Sequence, residues 1–84
     1  MGLKQNQALV AQYPVLQFFV YNHLPEELQK VSQPFHSLAW KQAKQRPPGP
    51  EVAVALRKLL EAKDAAVRAE FAYNPTTDED NADV

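Results

Sequence analysis

The stretch Arg46-Pro47-Pro48-Gly49-Pro50 separates the two long apolar-periodic segments of this chain, and its reading decides the fold. Proline lacks a backbone donor and clashes with the turn before it, so a helix arriving at Arg46 stops there. Pro50 then suits the first position of a new helix, where a missing N–H costs nothing. Residues 25–71 therefore read as two helices folded back on each other, an all-α chain built on an antiparallel helical hairpin. Two packed rods share one seam and have no third layer. The remaining apolar surface is expected to be covered by further copies of the chain, as a homo-oligomer.

Working back from the break, the first long helix is expected to begin at Leu24-Pro25-Glu26-Glu27, with Pro25 at its first position and the glutamates complementing the positive end of the dipole. Leu28, Val31, Phe35, Leu38 and Gln42 recur at helical spacing, with Ala39 widening the stripe, so Phe35 and Leu38 are expected in the core. Pro34 sits inside this pattern. Either the helix kinks there or Ser32 caps a second segment, and the unchanged phase of the apolar period favours one kinked helix to about Gln45. Working forward, Pro50 and Glu51 open the second helix, which runs through Val52, Leu56, Leu59, Leu60, Ala66 and Val67 to Phe71. About twenty residues per arm give rods of roughly 30 Å, matched in length.

The flanks differ in character. Residues 1–12 are polar and mixed without a clear period, and are expected to form a flexible arm that packs only on a partner. The hairpin domain, residues 13–73, opens with a short helix or turn behind Pro14. There Val15, Leu16, Phe18, Phe19 and Val20 crowd together with Tyr13 and Tyr21, apolar on every side, and need a cover. Residues 74–84 are polar and acidic and read as a disordered tail.

Composition bounds the function. With 84 residues and 45% hydrophobic content the chain is one domain, and a core of this size supplies only a few kcal/mol without staples or oligomerisation. It contains no cysteine, which excludes disulfides and thiolate metal sites. His23 and His36 have no carboxylate cluster between them, so no metal and no cofactor is expected. No apolar run approaches the roughly 18 residues of a membrane span. Met1-Gly2-Leu3-Lys4-Gln5-Asn6 lacks the apolar core of a signal peptide, and a cytosolic protein is expected. The net charge of −1 is unevenly placed. Asp78, Glu79, Asp80 and Asp83 lie in the tail, and in residues 1–77 nine Lys and Arg against Glu26, Glu27, Glu51, Glu61, Asp64 and Glu70 leave +3. That excess is too small to hold a nucleic acid duplex, yet sufficient for a ligand with two or three phosphates.

Catalysis finds no support in the residues. The glycines are only Gly2 and Gly49, so there is no phosphate-cradling loop, and the adjacent His36 and Ser37 point about 100° apart on a helix and form no dyad. Binding has better candidates. Tyr21, Asn22 and His23 combine an aromatic plate, an amide and an imidazole at the start of the first long helix, a set able to stack a base and hold a phosphate. The plainer alternative is that Tyr21 packs the mouth of the hairpin while Asn22 and His23 cap the helix. Arg57, Glu61, Asp64 and Arg68 share one face of the second helix, with spacing for two salt bridges and Lys58 and Lys63 beside them. Were Arg68 copies to meet on a symmetry axis, their mutual repulsion would call for an anion at the centre. Trp40, in the polar run Lys41-Gln42-Ala43-Lys44-Gln45, reads as an interface or hairpin-seam residue, with base stacking as the other role.

One resemblance joins these features. Tyr21-Asn22-His23-Leu24-Pro25, then Leu28-Gln29-Lys30-Val31-Ser32-Gln33-Pro34-Phe35 with Leu38-Ala39, the Pro-rich break, and Ala55-Leu56-Arg57-Lys58-Leu59-Leu60-Glu61-Ala62-Lys63-Asp64-Ala65-Ala66-Val67-Arg68-Ala69 resemble the small phage hairpin domain shared by anti-CBASS and anti-Thoeris sponge proteins. The likeness covers about fifty residues, from Tyr21 to Phe71. It implies a homohexamer in the cytoplasm of the infected bacterial host that captures cyclic oligonucleotide alarm signals and releases them unchanged. In such sponges one pocket lies between protomers, with an aromatic residue at the entrance to the first long helix, here Tyr21, and a basic residue about four turns along, here His36 where the family pattern carries Lys. A neutral imidazole at pH 7 makes that departure a real change of chemistry.

The anti-CBASS branch has a second pocket on a threefold axis, built on an Arg near the end of the second helix, which Arg68 matches. The function implied is an immune-evasion sponge for cyclic dinucleotides or trinucleotides. Tyr21 would stack a base, Asn22, His23 and His36 would meet phosphate or base edges, and Arg68, helped by Arg57 or Lys58, would meet phosphates near an axis. Two alternatives stand beside it: a sponge for the cyclic ADP-ribose isomers of Thoeris signalling, and a structural or adaptor oligomer without nucleotide ligand.

Overall fold

The computed structural model describes residues 2–72, which form α1 (Gly2–Gln12), a 3-10 helix (Pro14–Phe19), α2 (Glu26–Gln45) and α3 (Pro50–Ala72). The protein is all-helical, with no strand among the described residues. The acidic tail, whose disorder was expected from its composition, lies outside the described residues.

Proline sets the boundaries. Pro14 occupies the first turn of the 3-10 helix, where an absent donor has no partner to lose. Pro25 stands just before α2 rather than inside it: it is the N-cap, and its carbonyl accepts from the backbone N–H groups of Leu28 and Gln29, each at 2.9 Å. The helix thus begins one residue later than the sequence reading placed it. Pro34 does not divide α2, which is a single helix to Gln45. Its missing donor leaves the Lys30 carbonyl without its normal partner. At the far end Arg46 leaves helical geometry with φ −86 and ψ 147, while its N–H still reaches the Gln42 carbonyl at 3.0 Å. Val52 N–H bonds the Gly49 carbonyl at 3.1 Å and opens α3.

One cluster of side chains forms the core: Tyr13, Leu16, Phe19, Ala39, Ala43, Val52 and Leu56. α2 packs against α3, and the 3-10 helix touches all three α-helices, so it acts as a wedge over their contact. Leu16 and Leu56 are 0% exposed, and each such side chain contributes roughly 1.5–3 kcal/mol when fully buried. Tyr13 is buried as well, and its phenol oxygen accepts a bond from Gly49 N–H at 3.4 Å, which ties the link between α2 and α3 to the start of the 3-10 helix.

Two expectations change here. Residues 1–12 read as an arm without structure of its own, but Gly2–Gln12 is helical, and Leu9 and Val10 pack against the core of the same chain. The core stripe of α2 is also shifted in part: Leu28 and Ala39 are buried and Phe35 packs partly buried against the core, as read, but Ser32 and Ala43 are buried beside them and Leu38 is 43% exposed. Ser32 and Ala43 each lie one residue, about 100° about the helix axis, from the Val31 and Gln42 of the expected stripe. Ser32, Ala39 and Ala43 are small, so they let α3 and the 3-10 helix come close, and a leucine in that seam would hold them apart. The apolar 3-10 helix is covered on one side only: Leu16 and Phe19 are buried, whereas Phe18 is 58% exposed and Val20 44%.

Candidate functional site

The turn before α2 is held from below. Leu24 N–H bonds the Tyr21 carbonyl at 3.0 Å. The Gln29 amide donates to the Leu24 carbonyl at 2.8 Å and to the Asn22 carbonyl at 3.5 Å. Gln29 lies in the first turns of α2, so it fixes the turn to the rigid helix and sets the direction in which Tyr21 leaves it. Neither Asn22 nor His23 caps the helix: no side chain bonds the N-terminal donors.

Tyr21 meets His36 from α2 edge to face, with ring centroids 5.1 Å apart and planes at 71°. Val20, Tyr21, Asn22 and His36 line an open cleft of about 260 Å³. His36 is also the first member of a stripe along α2. Trp40, one turn on, has its ring centroid 6.1 Å from the imidazole, and Lys44, one turn further, holds its ammonium 5.8 Å from the centre of the indole. This stripe borders a second cleft of about 390 Å³, lined by His36, Ser37, Trp40, Lys41, Lys44 and Gln45. His36 is the wall between the two.

Charge is arranged unequally along this surface. Glu26 and Glu27 occupy the first turn of α2, where they satisfy the dipole and oppose an anion. From Leu28 to Arg46 there is no carboxylate, while Lys30, Lys41, Lys44 and Arg46 are all cationic. Desolvation by burial holds the His36 imidazole below its ordinary pKa, so near neutral pH it is an uncharged donor and acceptor rather than a cation.

The structure brings together Tyr21, Asn22 and His36 and leaves the other expected residues apart. His23 is exposed in the turn and does not line the cleft. Arg57, Lys58 and Arg68 are exposed on α3, away from the Tyr21 cleft, and Arg57 and Arg68 are themselves about 16 Å apart along that helix. The two ion pairs that the spacing on α3 allows, Arg57–Glu61 and Asp64–Arg68, do not form. Among the described residues the ion pair is Lys63–Asp64, at 3.1 Å. Gln29, Lys41 and Lys44 were not singled out by the sequence reading, although Trp40 and Lys44 follow His36 at four-residue intervals, which is the signal that could have found the stripe.

Among the described residues no helix is long and apolar enough to cross a membrane, and no group of three or more His, Cys, Asp or Glu is placed to hold a metal. The chain matches no protein-family model, no curated protein and no solved structure.

Proposed function

We propose that this protein is a non-catalytic nucleotide-binding sponge of phage origin, which sequesters cyclic dinucleotides, or cyclic trinucleotides, in the cytoplasm of the infected bacterium and so blocks CBASS signalling. The observation that carries the reading is the Tyr21–His36 aromatic pair at the mouth of a cleft with Asn22, formed by the same residues on which the resemblance to phage sponges rests. An aromatic face and a neutral imidazole suit a base, which stacks on one and hydrogen-bonds the other. The binding groups are held by helical backbone and by the Gln29 bonds, so little order need be imposed on binding. No bond is broken, and the ligand leaves unchanged.

The assembled form belongs to the same reading: an antiparallel α2–α3 hairpin as protomer, in a homo-oligomer of hexameric order. Phe18, Val20, Leu38 and Phe71 support it, because large apolar side chains left this open favour burial against another copy. In the assembly Arg68, with Arg57 or Lys58, would meet phosphates near an axis. Incubating the pure protein with cyclic dinucleotides, cyclic trinucleotides and cyclic ADP-ribose isomers, washing, denaturing and assaying what is released tests the reading. Intact cyclic oligonucleotide is the expected product. Retention of cyclic ADP-ribose isomers alone would move the target to Thoeris signalling, no retention would leave a structural or adaptor oligomer, and a hydrolysed product would make the protein an enzyme.

A further inference from the structure

We infer that the Trp40–Lys41–Lys44 cleft on α2 is the phosphate-binding end of the ligand site, continuous with the Tyr21–His36 cleft through their shared His36 wall. This rests on the nucleotide reading above and assigns what the Tyr21 cleft lacks within one protomer, a cation for the phosphate. The Tyr21 end supplies none. Its imidazole is uncharged near neutral pH, and the nearby helix start, the usual anion site, is occupied by Glu26 and Glu27. Along the same helix the balance reverses. Lys41 and Lys44 line a cleft of about 390 Å³ together with the Ser37 hydroxyl and the Gln45 amide, all able to donate to phosphate oxygen. Neither lysine takes part in an ion pair, the pair among the described residues being Lys63–Asp64.

A last-turn lysine is common because it complements the helix dipole, and Lys44 does so. That role accounts for neither the cavity beside it nor the indole in its wall. Trp40 offers a ring to a base or ribose, and Lys44 above that ring is placed to bridge from the ring to a phosphate. His36 and Lys44 are eight residues apart, about 12 Å along the helix, so one ligand with a base at Tyr21 and a phosphate at the lysines lies along a single rigid element. The ligand class is a phosphorylated nucleoside, of which a cyclic dinucleotide is one case.

Trp40 is the only tryptophan in the chain, so its fluorescence reports on this cleft. The test titrates the full chain with cyclic di-AMP, AMP and adenosine while following that emission, in the wild type, in Lys41→Gln/Lys44→Gln and in Lys41→Arg/Lys44→Arg, each checked for helical content and for mass by native mass spectrometry. The expected result is a saturable change with both phosphorylated ligands, at least tenfold weaker with adenosine. The glutamine variant should bind at least tenfold more weakly and with a shallower salt dependence, and the arginine variant should retain binding. Wild-type affinity and salt slope in the glutamine variant overturn the inference. So does a change of oligomeric state in both variants, which makes the lysines interface residues. Emission unmoved by all three ligands overturns it too, and retention of intact ligand, assayed in parallel, then shows separately whether the sponge reading survives.

Discussion

Tyr21 and His36 lie fifteen positions apart in the chain yet meet edge to face at 5.1 Å, one from the turn before α2 and the other from the middle of that helix. A helix advances about 1.5 Å per residue, so the contact is made only because the turn folds back along the α2 surface instead of leading straight into it. Gln29 holds it there through its bonds to the Leu24 and Asn22 carbonyls. The Tyr21 ring is therefore held against His36 at the mouth of the cleft.

Tyr21→Ala should remove the stacking face without loosening the core, since Tyr21 is not part of the buried cluster. Base stacking on an aromatic side chain is worth about 1–3 kcal/mol, so ligand affinity should fall about tenfold to a hundredfold while helical content and assembly persist. Tyr21→Phe should bind nearly as the wild type. Calorimetric titration alongside native mass spectrometry checks both, and loss of the oligomer in Tyr21→Ala would reassign this residue to packing.

The depressed pKa of His36 sets a pH dependence. The unfolded imidazole takes up its proton at a higher pH than the folded one, so between the two values the unfolded state binds more protons and stability rises with pH. This contribution should be complete above about pH 6.5 and diminish as the pH falls below it. Urea midpoints measured on either side of that value should diverge for the wild type and converge for His36→Gln; an equal divergence in the variant would place the titration elsewhere.

Leu56 and Leu38 make a paired test of the α2–α3 seam. Leu56 is 0% exposed, and Leu56→Ala should cost about 2–5 kcal/mol, enough to unfold a marginal protein. Leu38, 43% exposed, should tolerate alanine within about 0.5 kcal/mol for the protomer. Leu38→Glu should spare the fold and shift native masses to smaller species. A large loss of protomer stability in Leu38→Ala would restore it to the core where the sequence pattern put it.

Ser32 is 1% exposed, and its hydroxyl has no hydrogen-bond partner. A buried polar group left unsatisfied costs about 1–3 kcal/mol, and alanine is also the better helix former. Ser32→Ala should therefore raise stability by about 1 kcal/mol and shift the thermal midpoint upward. A lower midpoint would mean that the hydroxyl has a partner in solution.

The helices themselves were legible because prolines and apolar spacing are local signals. Pro50 and the break before it located the end of α2 and the start of α3, and Pro14 marked the 3-10 helix. The buried face of α2 was legible only in part, at Leu28 and Ala39. Counting large apolar residues also selected Val31 and Leu38 and passed over Ser32 and Ala43, which are buried for their small size rather than their hydrophobicity. α1 was missed because Gly2–Gln12 has little apolar period of its own, and its Leu9 and Val10 acquire a use only when the 3-10 helix offers them a surface. Of the candidate site, Tyr21, Asn22 and His36 were read and are brought together, while Lys41 and Lys44 passed as an ordinary polar run.

What this sequence determined by itself is where the backbone turns: missing proline donors and helical periodicity act within a few residues and need no tertiary contact. Which side of each helix is covered was decided only in three dimensions, because the packing of α2 against α3 and the 3-10 helix depends on how closely the elements approach, a property of shape summed over distant residues. The same holds for the cleft. Residue type made Tyr21 and His36 candidates, and the folded turn made them neighbours.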